Sequence, residues 1–231
     1  MKIYVVGNSN NRYFTFDESR EKFLIDTPHD GDNIDNRNSR YCELTGLYYL
    51  WKHCNDDIVG LEHYRRYFRY KDHLLNENDA KELLNEYQVI YHKAQPIRYR
   101  LGRQCISFCG QKDFDKVMLS LKTVYPEYYK TAQEVVNLNY HIQYNMMICK
   151  KEFMDAYCEW LFDILNPIVD FTGLDKFKRR SIGYIAEILL STVYMVHNNI
   201  KGFNCDVKLN GNKHGQGFSK FGTPLSFNIR K

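Results

Sequence analysis

The chain has 231 residues, with 32 Lys and Arg against 28 Asp and Glu and a formal net charge of +4. That length holds one substantial core, and the balance of charge excludes the dominant basic face of a nucleic-acid-binding protein. No window reaches the roughly 18 to 20 apolar residues that span a bilayer, and the opening MKIYVVGNSN lacks the apolar core of a secretory signal, so a cytoplasmic protein is expected.

Lys2 to Val6, followed by Gly7-Asn8, predicts a first β-strand running into a loop, the usual start of a nucleotide-binding α/β domain. The loop lacks a full G-x-G-x-x-G, which argues against a dinucleotide fold. Phe23 to Asp26 reads as a second short strand, and Asp30-Gly31-Asp32 as turn chemistry. From Tyr41 onward, Leu44, Leu47, Tyr48 and Trp51 fall at i, i+3, i+4 and i+7, so one face of a helix is wedged into a core; Asn55-Asp56-Asp57 ends it. Ile58 to Leu61 is an uninterrupted apolar run that suits a central strand covered on both faces. At its carboxyl end stand Glu62, His63, Tyr64, Arg65 and Arg66. Open α/β sheets bind ligands beyond the carboxyl ends of their strands, and guanidinium groups hold phosphate oxygens bidentately, so an anion site is expected here. The competing reading is a solvated basic edge.

The run GDNIDNRNSRYCELTGLYYLWKH followed by DDIVGLEHYRRYF closely resembles the opening signature of a family of small bacterial proteins encoded in capsular and exopolysaccharide clusters. That family, long catalogued as a domain of unknown function, is linked to glycosyl transfer, including galactofuranosyl and galactosyl transfer. Asn33-Ile34, Asn38, Tyr41 to Thr45, Trp51-Lys52, Gly60-Leu61 and His63 to Phe68 stand in the family's order and spacing. The resemblance implies an α/β, GT-A-like single domain over residues 1–231, with a mixed, mostly parallel central sheet flanked by helices. It implies a nucleotide and diphosphate site made by Asn33, Asn38, Tyr41, Glu43, His63, Arg65 and Arg66. Asp30-Gly31-Asp32 has the D-x-D form of metal-dependent glycosyltransferases but precedes the helix at Tyr41, whereas that motif follows a central strand. The position after the strand holds Glu62 to Arg66 instead, where fixed cations offset diphosphate charge, so no cofactor is expected, with Mn or Mg left open and Glu62 and His63 as its candidate ligands.

Further along, Asp79 to Glu86 reads as a short helix and Tyr87 to Tyr91 as a strand. His92 to Gly110, with Arg98, Arg100 and Arg103 and no clear periodicity, reads as a long loop or flap. Phe114, Val117, Met118 and Leu121 form a helical stripe that ends before Tyr125-Pro126. Tyr140 to Lys151 resembles the family's Asn-Met strand, and Asn145, which both donates and accepts hydrogen bonds, suits sugar hydroxyls. Phe153, Tyr157, Trp160, Leu161 and Ile164 form a scaffold helix closed by Asn166-Pro167. In a last helix, about Arg180 to His197, Arg180, Gly183 and Glu187 share one face, and a carboxylate there can act as a general base on an acceptor hydroxyl. Glu43 and Glu62 are rival carboxylates, Glu62 also as a sugar ligand. From Lys201 to residue 231 a polar, glycine-rich tail or closing loop is expected. Seven cysteines, odd in number and without paired C-x-x-C spacing, predict reduced thiols and no zinc site.

The expected function is transfer of a hexosyl unit, galactofuranosyl or galactosyl, from a UDP-sugar to a lipid-linked capsular, exopolysaccharide or O-antigen glycan. The enzyme would work in the cytoplasm at the inner face of the membrane. Two competitors share the anion cluster: a non-catalytic sugar-nucleotide or phosphoglycan binding module, and a nucleotide hydrolase.

Overall fold

The computed structural model describes residues 1–12, 14, 17–168 and 180–209. Its centre is built from short, β-branched and aromatic segments. β1 (Lys2–Gly7) takes β2 (Arg20–Leu24) on one side and β3 (Ile58–His63) on the other, both parallel to it. β2 begins three residues before the predicted strand, because Arg20 and Phe23 are the inward residues of that edge. Between β2 and β3 lie α1 (Asn38–Tyr41) and α2 (Leu44–His53), the latter burying Leu44, Leu47 and Leu50.

After β3 the chain reverses at His63↔Arg66 into β4 (Arg66–Tyr70) and β5 (His73–Leu74). The basic run is therefore partly strand. Asn76 and Asp79 form a reciprocal capping box that starts α3 (Glu77–Leu83). β6 (Val89–His92) and the two-residue β7 (Gln95–Pro96) follow, then α4 (Leu101–Cys109), α5 (Gln111–Val124) and α6 (Pro126–Val135). β8 (Tyr140–His141) pairs with β7, β9 (Met147–Lys150) enters the main sheet, and α7 (Lys151–Leu165) leaves it. The last helix runs as α8 (Ser181–Ile185), a π-helical segment (Ala186–Leu190) and α9 (Ser191–His197), before β10 (Gly202–Leu209).

The main sheet has the order β2-β1-β3-β9-β6-β10-β4-β5, and the single β3–β4 bridge closes β3, β9, β6, β10 and β4 into a five-stranded ring. The sheet is mixed, as expected, but not mostly parallel. Among the described residues β1–β2, β1–β3 and β6–β10 are parallel, whereas β9 lies antiparallel to both β3 and β6, and β4 antiparallel to β10. Gly60 makes the β3–β9 contact possible: a Cβ there would stand 2.7 Å from Ile148 Cγ1 and 2.9 Å from the Met147 carbonyl.

Strand alternation sorts the core into two layers. Val59 and Leu61 face the larger apolar cluster beneath α2, α4 to α7 and the last helix; Ile58 faces a smaller one beneath α3 with Phe68 and Leu75. Two expectations need correction. The loop expected at 92–110 contains α4, whose Leu101, Cys105 and Cys109 repeat at four-residue spacing and are buried. Lys201 to Leu209 is not tail: β10 pairs with β6 and β4, and the rest of the predicted tail lies outside the described residues. Among the described residues no helix is long and apolar enough to cross a membrane.

Candidate active site

The pairing Val6↔His63 sets the carboxyl ends of β1 and β3 side by side, and β1 stands between β2 and β3, so the chain lays successive parallel strands on opposite sides of it. Such a switch point leaves a crevice beyond the strand ends. The Asp26 carboxylate, just past β2, accepts hydrogen bonds from the Ser9 amide at 2.8 Å and hydroxyl at 2.7 Å, fixing the loop after β1.

Glu62 and His63 are adjacent in β3 and so point to opposite faces. Glu62 is fully buried in the smaller layer, where it accepts from Arg20 Nε at 2.7 Å, Arg20 Nη2 at 3.0 Å and the Phe68 amide at 2.9 Å. Burial raises its carboxyl pKa, and the Arg20 contacts oppose that. These contacts make Glu62 a structural ion pair, fully buried on the face of β3 opposite His63, which removes it from the crevice. His63 faces the other way. Its Nδ1 accepts from Arg66 Nη1 at 3.3 Å, its Nε2 is buried without a hydrogen-bond partner, and burial together with the Arg66 charge pushes its pKa down to about 3.

The loop before β9 meets this imidazole. Tyr144 and Asn145 both adopt left-handed backbone, φ 79° and 48°; Asn tolerates this, whereas Tyr pays of order 1 kcal/mol or more. The kink lays the Tyr144 ring 4.2 Å from the Arg66 guanidinium and 4.8 Å from the His92 ring. It also buries Asn145, whose Nδ2 donates to Glu43 Oε1 at 3.0 Å and to the Gly183 carbonyl at 3.2 Å, while its Oδ1 has no partner.

Glu43 is brought in by a second strained residue. Cys42, between α1 and α2, has φ 54° and ψ −124°, a conformation usual only for glycine. That turn sends the Glu43 carboxylate inward, where burial raises its pKa and Asn145, Arg180 and Arg66 oppose the rise. Arg180, at the start of α8, donates from Nε to Cys42 Sγ at 3.0 Å and places Nη2 3.9 Å from Glu43 Oε2. Its pKa is raised against the effect of burial by the Cys42 and Glu43 side chains. Glu187 lies in the π-helical segment, a wider turn that frequently marks functional sites. Burial first, then the neighbouring Glu43 charge, pushes its carboxyl up to about 7.

Six residues singled out in the sequence thus converge: Glu43, His63, Arg66, Asn145, Arg180 and Glu187. Arg65 lies over the Tyr64 ring at 5.5 Å and adds to the positive potential at His63. Asn33 is engaged elsewhere, its Nδ2 donating to the His29 and Gly31 carbonyls at 2.8 and 2.9 Å. Tyr41 turns its ring into the core and donates to the Leu165 carbonyl at 3.3 Å; Asn38 sits behind it, its carbonyl accepting from the Cys42 amide at 2.8 Å. The sequence reading missed Cys42, Tyr144 and Asp26. Only Asp26 carried a signal, an acid at the end of a strand.

Asp30-Gly31-Asp32 forms a turn with Gly31 at φ 78°, and the Asp32 carboxylate accepts from the Tyr48 hydroxyl at 3.0 Å. With Glu62 held by Arg20, and with Arg66 and Arg180 beside Glu43 and Glu187, the donor set at this strand end does not fit a divalent cation. Among the described residues no group of three or more His, Cys, Asp and Glu side chains is arranged to hold a metal.

These features define an α/β domain with a buried, charge-compensated site at the carboxyl ends of parallel strands. The family model described as Domain of unknown function (DUF4422) matches residues 3–199, and the chain belongs to that family. In fold it is similar to the apo structure of WbbM, a bifunctional glycosyltransferase, with a TM-score of 0.77, 21% identity, and coverage of 91% of this chain and 45% of that one. The chain therefore spans less than half of that neighbour. No curated protein matches it.

Proposed function

We propose that the chain is a glycosyltransferase of GT-A-like architecture that moves a hexosyl unit, galactofuranosyl or galactosyl, from a UDP-sugar to a lipid-linked glycan. The supporting observation is the cluster at the end of β3. A buried carboxylate, Glu43, a half-buried one, Glu187, and two arginines surround polar atoms without protein partners, His63 Nε2, Arg66 Nε and Asn145 Oδ1. Buried polar groups are nearly always satisfied, and a concentration of unsatisfied ones is what an absent polar ligand leaves behind. The sugar and the acceptor rest on the resemblance of the signature from Asn33 to Phe68, and the reaction class also on the WbbM fold.

In this reading Arg66 and Arg180, aided by Arg65, hold the diphosphate and offset its charge without a metal. Asn145 Oδ1 accepts from a sugar hydroxyl while its Nδ2 stays on Glu43. Glu187 takes the acceptor hydroxyl proton as the new C–O bond forms and the bond from the anomeric carbon to phosphate breaks, with UDP leaving on the electron pair. A carboxyl near 7 is half ionised at neutral pH, the condition under which a base is both available and strong enough. Glu43 positions Asn145 and Arg180.

The test compares Glu187→Gln with the wild type in UDP binding and in transfer from UDP-galactose isomers to membrane-extracted acceptor. UDP affinity within about threefold of wild type, with transfer down roughly 10²- to 10⁴-fold, is the expected result. Full transfer by the variant would remove Glu187 from the base role. UDP binding by the wild type with no transfer to any acceptor would favour the binding module.

A further inference from the structure

Outside the site, one surface stands apart. From Gln88 to Lys112 the chain carries Lys93, Arg98, Arg100, Arg103 and Lys112 and no Asp or Glu. The structure folds the middle of this stretch into α4, and its apolar face, Leu101, Cys105 and Cys109, is buried. Gly102 lets α4 sit tightly on the end of α6, since a Cβ there would stand 2.9 Å from Val136 Cβ. The outer side of α4 presents Arg103 and, towards its end, Phe108 at 42% exposure, and the segment leading into the helix presents Arg98, Tyr99 at 45% and Arg100.

None of these three arginines has a carboxylate partner among the described residues. Arg103 and Arg98 lie 4.7 and 5.5 Å from the centre of the Tyr99 ring, and Arg100 donates to the Asn137 side-chain oxygen at 2.7 Å. The patch is continuous with the candidate site. Phe108 packs 5.0 Å from Tyr184, and Tyr184 lies 6.0 Å from the Arg180 guanidinium.

Cations without carboxylate partners, interleaved with exposed aromatic rings on α4 and on the segment leading into it, match the chemistry of an anionic bilayer surface, where rings settle at the headgroup level and cations meet lipid phosphates. We infer that the surface made by residues 98–100 and the outer side of α4, with Tyr99 and Phe108 as anchors, docks the protein on anionic lipid. A lipid-linked acceptor would then reach the site past Tyr184, a consequence that rests on the transferase reading; the docking itself does not.

The experiment is sedimentation of the full chain with phosphatidylglycerol-containing vesicles and with pure phosphatidylcholine vesicles, at low and high salt. UDP titration of the same preparations reports the site separately. Wild type should bind the anionic vesicles and release them at high salt. Each cation near such a surface contributes about 1 kcal/mol, so Arg98→Gln with Arg103→Gln should weaken binding about 25-fold. Tyr99→Ser with Phe108→Ser should weaken it independently, and UDP affinity should hold in both pairs, which also shows that they fold. Wild-type binding of UDP without vesicle binding overturns the inference and leaves the transferase reading standing. Vesicle binding without UDP binding does the reverse. Vesicle binding untouched by both substitution pairs, or binding of single-stranded RNA in place of lipid, also overturns it.

Discussion

Replacing Glu187 by Gln should make the protein more stable, by an amount that depends on pH in a defined window. The Glu187 carboxyl is held at about 7 against an ordinary 4.5, chiefly because burial disfavours its charge and secondly because Glu43 is near. The folded state therefore keeps a proton that the unfolded chain releases, and stability falls as pH rises from about 4.5 to about 7. Above that window the ionised side chain costs the fold about 3 kcal/mol, since each pKa unit is worth about 1.4 kcal/mol. Gln keeps the shape and an oxygen acceptor but cannot ionise. Urea denaturation of both proteins across this range should show a gap of about 3 kcal/mol in favour of Glu187→Gln at pH 8, closing towards zero near pH 4.5. A variant less stable than wild type throughout, or a gap that does not change with pH, would refute the reasoning that makes Glu187 a tuned acid.

The opposite outcome is expected at Glu62. Glu62→Gln removes the buried partner of Arg20 and leaves Asp17 as its remaining counter-charge, so it should cost roughly 1–3 kcal/mol in the same denaturation assay, with UDP affinity in the folded fraction unchanged. His63, pushed down to about 3 by burial and Arg66, should show no change in its ring carbon NMR shift between pH 5 and 8, and its contribution to stability, full above about 6.5, should decline only as acid is added below that. Gly60→Ala forces β9 away and should lower stability by about 1–3 kcal/mol by thermal melt. At Gly183 a Cβ meets nothing closer than 3.4 Å, so Gly183→Ala should instead raise stability by roughly 0.5–1 kcal/mol.

The parts of this molecule that were legible in its sequence are those in which one element's own pattern decides the outcome. α2 declared itself by Leu44, Leu47, Tyr48 and Trp51, and β3 by Ile58 to Leu61. The spacing of Arg180, Gly183 and Glu187 predicts one helix face; in the structure Arg180 stands just before α8 and Glu187 lies in the π-helical segment. What was lost lay in relations between elements. The antiparallel insertion of β9 between β3 and β6 leaves no local trace, and a sheet expected to be mostly parallel is not. α4 was hidden because its buried stripe uses two cysteines and follows a proline and two arginines. Glu62 and His63 were grouped by adjacency, although a strand sends neighbours to opposite faces, and the period-2 rule was available to separate them. Cys42 and Tyr144 carry left-handed backbone that their residue types do not announce; tertiary packing imposes it, and those two positions aim Glu43 and Asn145 into the site.

The cluster around His63 and Arg66 should hold a nucleoside diphosphate without a metal. Calorimetric titration with UDP, ADP and GDP, each with manganese and with EDTA, measures this. Selective UDP binding of equal affinity in both conditions, lost on Arg66→Gln, is the predicted result. Binding that requires manganese, or that survives Arg66→Gln undiminished, would contradict it.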